Sequence, residues 1–343
     1  MLISDDLLAE DPGIHLMVGF RGTTLEEELK LFIKDFKIGG ICLFKRNIQS
    51  PSQLKTLLDE AQCFARETLG RPLLVSIDQE GGTVQRLAPH FTRLPSAHDL
   101  GLEGPQAIRT WAAQAARDLR HLGIQINLAP VLDLVPEEEP HFMQDRSLGT
   151  DPPRVARLGA LWIKTLQENG VSATAKHFPG LGHAESDPHH FAPVIRWNNE
   201  EEMRQDLFPF REAIAGGVHC VMTSHALYPY IDPQWPATLS PAINHEWLRN
   251  RLQFEGVLLS DDLDMAAVSG NYSWEEMAAQ GLRSTIDFFL LCQHSENIEP
   301  FYRALRNVLR SQSDVASMRC ASLRRIHDLF GKHSHGRTVS CPP

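Results

Sequence analysis

Reactive polar residues stand immediately after short apolar runs of this sequence. Asp78 follows one such run, the pair Lys176-His177 lies near the end of another, and Asp261 ends a third. Carboxylates, a lysine and an imidazole can together bind a polyhydroxylated molecule through directional hydrogen bonds. A carboxylate can also attack a carbon centre. The combination predicts sugar chemistry, and glycoside cleavage is the reaction that needs both an anionic group and an acid.

The acid that glycoside cleavage requires is predicted at His189. An imidazole has a reference pKa of about 6.5, so it needs an adjacent carboxylate to remain protonated until the proton is transferred. Asp187 stands two residues before His189 and is the expected partner.

Eight apolar runs alternate with longer amphipathic stretches along the chain. Such near-continuous hydrophobicity is typical of parallel strands buried on both faces. The alternation predicts a single-domain (β/α)8 TIM-like barrel, although an open doubly wound sheet has the same local pattern. In a barrel, the polar residues after the strands would converge on one mouth. The runs cover residues 14–20, 39–44, 72–78, 126–134, 172–178, 220–228, 256–261 and 286–292.

Helix start signals lie between the apolar runs. Thr24 with Glu27 predicts a capping box, and so does Ser50 with Gln53. Gly70 is placed to end the second of these helices. We expect residues 1–330 to form the barrel and residues 331–343 to form a C-terminal tail.

Composition excludes several classes of function. The 343 residues carry a formal net charge of −10, which opposes binding to a polyphosphate backbone. The acidic N-terminus does not resemble a signal peptide, and no apolar window is long enough to span a membrane. We therefore expect a cytoplasmic protein that binds neither nucleic acid nor membrane. The six cysteines form no CxxC pair and are expected to be reduced thiols.

Four separated motifs resemble those of the glycoside hydrolase family 3 β-N-acetylglucosaminidases of the bacterial murein-recycling type. They occur in the family's order, and the resemblance extends over roughly residues 14 to 270. The motifs are residues 75–82 (VSIDQEGG), 176–180 (KHFPG), 187–189 (DPH) and 260–263 (SDDL).

The resemblance implies a barrel that removes terminal β-linked N-acetylglucosamine with retention, through a glycosyl-enzyme intermediate. Asp261 matches the family nucleophile, and His189 with Asp187 matches its acid/base dyad. The implied substrate is a small carbohydrate, namely N-acetylglucosamine-anhydro-N-acetylmuramic acid fragments with or without peptides. No metal or other cofactor is implied, and we expect a monomer. The positions that match the sugar-holding residues of the family are Asp78, Arg86, Arg146, Lys176 and His177.

Three alternatives follow from the same residues. A family 3 β-glucosidase would share these motifs, because none of them fixes an N-acetyl pocket. A non-catalytic sugar-binding barrel with a disabled acid/base loop is the second, because Leu181 replaces a family histidine and Pro188 replaces a serine within the dyad. Pro188 is expected to stiffen that loop. A metal hydrolase is the third, since histidines stand at 177, 183, 189 and 190.

Overall fold

The computed structural model describes residues 11–136, 141–184 and 193–333. Eight parallel strands form a closed barrel in which each strand pairs with its sequence neighbours and the first also pairs with the last. The predicted single-domain (β/α)8 barrel is therefore confirmed. The strands are β1 Leu16–Val18, β2 Gly40–Leu43, β3 Leu74–Ile77, β4 Ile126–Asn127, β5 Ser172–Phe178, β6 Cys220–Thr223, β7 Val257–Asp262 and β8 Phe288–Leu291.

Helices surround the barrel and connect successive strands. A π-helix over Ala242–Arg251 lies between β6 and β7. The α-helices are α1 Glu27–Lys34, α2 Pro51–Leu69, α3 Ala97–Glu103, α4 Pro105–Leu122, α5 Pro152–Glu168, α6 Glu200–Ala215, α7 Ala266–Ser269, α8 Trp274–Arg283, α9 Ile298–Ser311 and α10 Ala316–His333.

The helix start signals are confirmed in one case and wrong in the other. Ser50 Oγ accepts from the Gln53 N–H, the Gln53 side chain returns to the Ser50 N–H, and Gly70 ends α2 in the left-handed region at φ 70°. The capping box at Thr24 does not form. Instead α1 begins one residue after Glu26, and the Thr24 hydroxyl donates to the Glu26 carboxylate. The hydrogen bond between the Thr24 and Glu26 side chains thus replaces the predicted N-cap at Thr24.

The hydrophobic core has two layers. The larger layer lies between the outward-facing strand residues and the surrounding helices. The inner layer fills the barrel itself, where side chains such as Met17 and Leu259 meet Leu323, Ile326 and Leu329 of α10. The C-terminal helix therefore closes the barrel at the amino-terminal ends of the strands, and we call this closure the floor.

Charged groups hold α10 against the floor. Asp287, which directly precedes β8, is fully buried and lies 2.8 Å from Nη2 of Arg325 on α10. Arg249 Nη2 lies 2.9 Å from the same carboxylate, and the Leu258 N–H donates to it. Burial alone would raise the pKa of Asp287, but the two arginines outweigh it and lower that pKa. Because these groups pair with the Asp287 carboxylate, its buried charge is compatible with the hydrophobic core.

Three of the cysteines match the expectation of buried reduced thiols, namely Cys42, Cys220 and Cys292. Cys63 does not, because it takes part in a disulfide bond, and this corrects the prediction that all six are reduced. Within the described ranges, no helix has the length and apolar character that crossing a membrane requires.

Candidate active site

A short hairpin after β3 sets the spacing of the first candidate residues. Asp78 follows β3, and the strand Gln79–Gly81 pairs antiparallel with Val84–Gln85. The chain reverses at Gly81 and Gly82, where φ is 109° and 54°, values that glycine adopts without strain. This reversal returns Arg86 to Asp78, with Arg86 Nη2 3.0 Å from Asp78 Oδ2. The eight-residue spacing in the sequence is thus the length of one hairpin.

Lys176, near the end of β5, is the centre of a buried group of ion pairs. Its Nζ lies 2.8 Å from Asp78 Oδ1 and 2.6 Å from Glu80 Oε1. Arg146 binds Glu80 with two parallel hydrogen bonds of 2.8 and 2.9 Å. We call Asp78, Glu80, Arg86, Arg146 and Lys176 the mouth cluster. Its three cations and two carboxylates leave an excess of positive charge.

The mouth cluster keeps its carboxyl groups ionised. Burial opposes ionisation of Asp78, but the charges of Lys176 and Arg86 outweigh it and hold the pKa of Asp78 well below its usual range. Burial likewise opposes ionisation of Glu80, and Arg146 with Lys176 lowers its pKa to about 2. The same attraction raises the pKa of Lys176 against the effect of its own burial. Asp78, Glu80 and Lys176 are therefore charged at neutral pH.

His177 is fixed by a second buried carboxylate. Its Nδ1 lies 2.8 Å from Asp133 Oδ2, so Nδ1 carries a proton and donates to it. Asp133 also accepts from the backbone N–H groups of His177 and Leu181, the latter at 2.7 Å. The Leu181 side chain is buried in the outer core layer. One carboxylate thus fixes the imidazole and the first residues of the loop that follows β5.

Asp261 lies at the carboxyl end of β7, half-buried at the mouth. Its Oδ1 accepts a 2.8 Å hydrogen bond from the Asp262 N–H. Burial would raise the pKa of Asp261, but the nearby charges of His225, His177 and Lys176 lower it. The structure therefore brings Asp261 into the same electrostatic environment as the mouth cluster, and its carboxyl group is ionised at neutral pH.

Asp187 and His189 lie outside the described residues, as do Pro188 and His190. The residues on either side of this stretch are held in place. The Ala184 carbonyl lies 2.8 Å from His141 Nε2, and His183 Nε2 lies 3.3 Å from Asp206 Oδ1. On the other side, the Ile195 N–H donates to the Leu227 carbonyl at 2.9 Å.

Histidines 177 and 183, two of the four considered as metal ligands, are bound to different carboxylates. His177 donates to Asp133, and His183 pairs with Asp206, which also accepts from the Trp197 indole N–H at 2.7 Å. Among the residues that the structure describes, no three histidine, cysteine, aspartate or glutamate side chains form a group suited to a metal ion.

Three residues of the site were missed by sequence reasoning. Glu80 stood inside a quoted motif, and its signal was a second carboxylate two residues after Asp78. Asp133 stood at the end of an apolar run, which is the place where polar residues reach the mouth. His225 was noted without a role, and it lies two residues after the end of β6.

Asp262, next to Asp261, is buried and has an unusual charge state. Burial and the neighbouring charge of Asp264 raise its pKa to about 8, although its Oδ1 accepts from the Asp264 and Cys292 N–H groups. Asp262 is therefore mostly protonated at neutral pH, and Asp261 is the carboxylate of the pair.

The difference between the pKa of Asp262 in the folded chain and in the unfolded chain predicts that the stability depends on pH. Between about pH 4 and pH 8 the folded chain holds a proton on Asp262 that the unfolded chain releases, so the free energy of unfolding should fall as pH rises. The slope is at most about 1.4 kcal/mol per pH unit. Asp262→Asn keeps the acceptor oxygen and should flatten the slope in urea unfolding across this range. Asp59→Asn, on α2, is the control and should keep the wild-type slope. An unchanged slope in Asp262→Asn would contradict the raised pKa of Asp262.

Most of the chain is similar to known proteins. The family model described as "Glycosyl hydrolase family 3 N terminal domain" matches residues 13–329. A β-hexosaminidase of Nitrosomonas eutropha is 35% identical over 331 residues, which cover 94% of this chain and 93% of that protein. The chain thus aligns with nearly the full length of this relative.

Solved structures give the same result. A glycoside hydrolase family 3 β-N-acetylglucosaminidase from Paenibacillus sp. str. FPU-7 is 35% identical with a TM-score of 0.91; the match covers 96% of this chain but 64% of that one. A β-N-acetylhexosaminidase from Beutenbergia cavernae is 28% identical with a TM-score of 0.87, and the match covers 93% and 97% of the two chains. The predicted family and the prediction of a glycoside hydrolase are confirmed: the chain belongs to glycosyl hydrolase family 3.

Proposed function

We propose that the chain is a retaining exo-β-N-acetylglucosaminidase that removes terminal β-linked N-acetylglucosamine from murein fragments in the cytoplasm. The observation that carries the proposal is the position of Asp261, half-buried at the carboxyl end of β7, where the charges of His225, His177 and Lys176 lower its pKa. The names of the relatives support N-acetylglucosamine as the sugar removed, and the motif resemblance supports murein fragments as its source.

The proposed reaction has two steps. Asp261 is the nucleophile of the first step and the leaving group of the second, and His189 acts first as an acid and then as a base. In the first, Asp261 forms a bond to the anomeric carbon while the glycosidic C–O bond breaks, and His189, paired with Asp187, gives its proton to the departing oxygen. In the second, neutral His189 takes a proton from water, the water oxygen bonds to the anomeric carbon, and the Asp261 carboxylate departs. Two displacements on one carbon retain its configuration.

The mouth cluster and His177 are the proposed sugar-holding groups. Charged donors that are already fixed by ion pairs lose little conformational entropy when a hydroxyl group binds. The excess of positive charge also favours an anionic partner such as the ionised Asp261. We propose that residues 1–330 carry this activity as a monomer without a cofactor. Helix α10 continues to His333, three residues into the expected tail of residues 331–343, and we propose that the residues beyond it lie outside the catalytic unit.

The test is a pair of substrates with the same aryl leaving group, one a β-N-acetylglucosaminide and the other a β-glucoside. We expect the N-acetyl substrate to be cleaved faster. His189→Ala should lower the rate least for the best leaving group, because such a group departs without a proton. Initial rates over a series of aryl leaving groups measure both effects.

Other outcomes identify the alternatives. Faster cleavage of the β-glucoside would assign the chain to the β-glucosidase type. A folded protein that binds N-acetylglucosamine but cleaves neither substrate would be a sugar-binding barrel. Equal rates for wild type and His189→Ala with every leaving group would remove His189 from the mechanism.

A further inference from the structure

His225 bridges two loops at the barrel mouth and is buried, with 1% of its surface exposed. Its Nε2 lies 2.9 Å from the main-chain oxygen of Asp262, the residue that follows Asp261. Its Nδ1 lies 2.8 Å from Thr238 Oγ1. The imidazole thus connects the loop after β6 to the peptide group next to the candidate nucleophile.

Thr238 is itself held rigidly and is fully buried. Its Oγ1 lies 2.8 Å from Thr223 Oγ1 and 2.9 Å from the Ser224 carbonyl oxygen. Its N–H donates to the same carbonyl at 3.0 Å. Ser224 directly precedes His225, and Thr223 stands two residues before it. The ring is therefore fixed by a compact set of hydrogen bonds at the end of β6.

We propose that His225 is a positioning residue for Asp261, which holds the peptide that follows the carboxylate and presents a positive ring to it. The inference rests on the proposed function, in which Asp261 attacks the sugar. No contact between His225 and substrate is required.

The hydrogen bonds of His225 are compatible with a positive ring. The Asp262 carbonyl can only accept, so Nε2 carries a proton and donates to it. When the Thr238 hydroxyl directs its hydrogen to the Ser224 carbonyl, Thr238 Oγ1 accepts from Nδ1–H of the protonated ring.

Several titratable groups influence the pKa of Asp261, and among the charges that lower it His225 has the largest effect. Lys176 and His177 approach from β5, and Asp262, with Asp264 beyond it, follows on the chain. Burial would raise the pKa of Asp261; the charge of His225 is the strongest influence that lowers it, followed by that of His177. An ionised carboxylate in a fixed orientation is what attack on the anomeric carbon requires.

Loss of the His225 hydrogen bond would leave the Asp261 carboxylate less firmly positioned, and we expect the effect in kcat. A displacement of about 1 Å at a reacting group lowers a rate by about 10²-fold. Binding of the sugar to the mouth cluster does not involve His225, so KM should change little. The loss of positive charge should move the acidic limb of the kcat/KM profile to higher pH by about one unit.

The experiment compares His225→Gln and Thr238→Val with wild type on the aryl β-N-acetylglucosaminide. His225→Gln keeps a donor but removes the charge, and it should lower kcat by about 10- to 100-fold while shifting the acidic limb. Thr238→Val should also lower kcat, but by a smaller factor than His225→Gln. His15→Gln is the matched control, because His15 is a buried histidine on the floor whose Nδ1 lies 3.0 Å from the Asp287 carbonyl. It should lose stability but keep the wild-type kcat and acidic limb.

A second measurement does not depend on activity. The 13C carboxyl resonance of Asp261, assigned by its absence in Asp261→Asn, should titrate at higher pH in His225→Gln than in wild type. A wild-type kcat and an unchanged titration in His225→Gln would overturn the positioning role. A wild-type enzyme without hydrolysis would overturn the proposed function instead, and the carboxyl titration would still decide the inference about His225.

Discussion

Asp261→Asn should lower kcat by about 10³-fold or more, because the amide cannot form the glycosyl-enzyme bond. The fold and the affinity for N-acetylglucosamine should persist, since Asp261 accepts a single backbone hydrogen bond from the described residues and lies outside the ion pairs of the mouth cluster. Single-turnover kinetics and sugar binding by calorimetry measure the two quantities. Asp151→Asn preserves the acceptor at the start of α5 and should keep the wild-type kcat.

Azide provides a more specific test of the same residue. In Asp261→Ala, azide can enter the space left by the carboxylate and bond to the anomeric carbon as the aryl oxide departs. The expected product is the α-glycosyl azide, whereas His189→Ala should give the β-anomer by way of the intact intermediate. Full activity of Asp261→Asn, or a β-azide from Asp261→Ala, would exclude Asp261 as the nucleophile.

Lys176→Met should produce the largest loss of stability, about 3–5 kcal/mol in the free energy of unfolding. The lysine side chain is 3% exposed and pairs with both Asp78 and Glu80, so its removal leaves two buried carboxylates with fewer counter-charges. Urea unfolding measures the change. Lys55→Met removes the half-exposed pair with Asp59 on α2 and should cost about 0–1 kcal/mol.

The charge argument also predicts a rescue. Adding Glu80→Gln to Lys176→Met removes one of the uncompensated carboxylates and should recover part of the lost stability. Lowering the pH should likewise narrow the gap between Lys176→Met and wild type, because protonation neutralises the buried acids. A loss no larger than that of Lys55→Met would show that the mouth cluster does not stabilise the fold.

The barrel could be predicted from the sequence because strand burial and helix starts are local properties. Each of the eight apolar runs overlaps a strand of the barrel, but the length of the fourth strand was overestimated. Residues 126–134 were expected as one strand, and β4 contains only Ile126–Asn127, with a cis Ala129–Pro130 peptide following. Pro130 has no N–H to donate, and beyond it the pairing with β5 is reduced to an isolated bridge between Val131 and Lys176. Apolar character alone does not reveal where a regular strand ends.

The candidate site was predictable in part for a similar reason. Residues at the carboxyl ends of strands, such as Asp78 and Asp261, are found by position alone. Glu80 and Asp133 act by binding other side chains, and the partners of Glu80 lie 66 and 96 positions away in the sequence. Such long-range pairing depends on the closed barrel and has no local signal. The predicted dyad of Asp187 and His189 stays a prediction.

The position of α10 on the floor has a consequence for how the chain folds during synthesis. All eight strands leave the ribosome before Leu323, Ile326 and Leu329, which complete the inner core. Until then the apolar interior of the barrel is open to solvent at one end, and Asp287 lacks Arg325. A nascent chain at this stage exposes the kind of surface that chaperones bind and that promotes aggregation. The last helix is therefore the element whose synthesis supplies the missing part of the inner core.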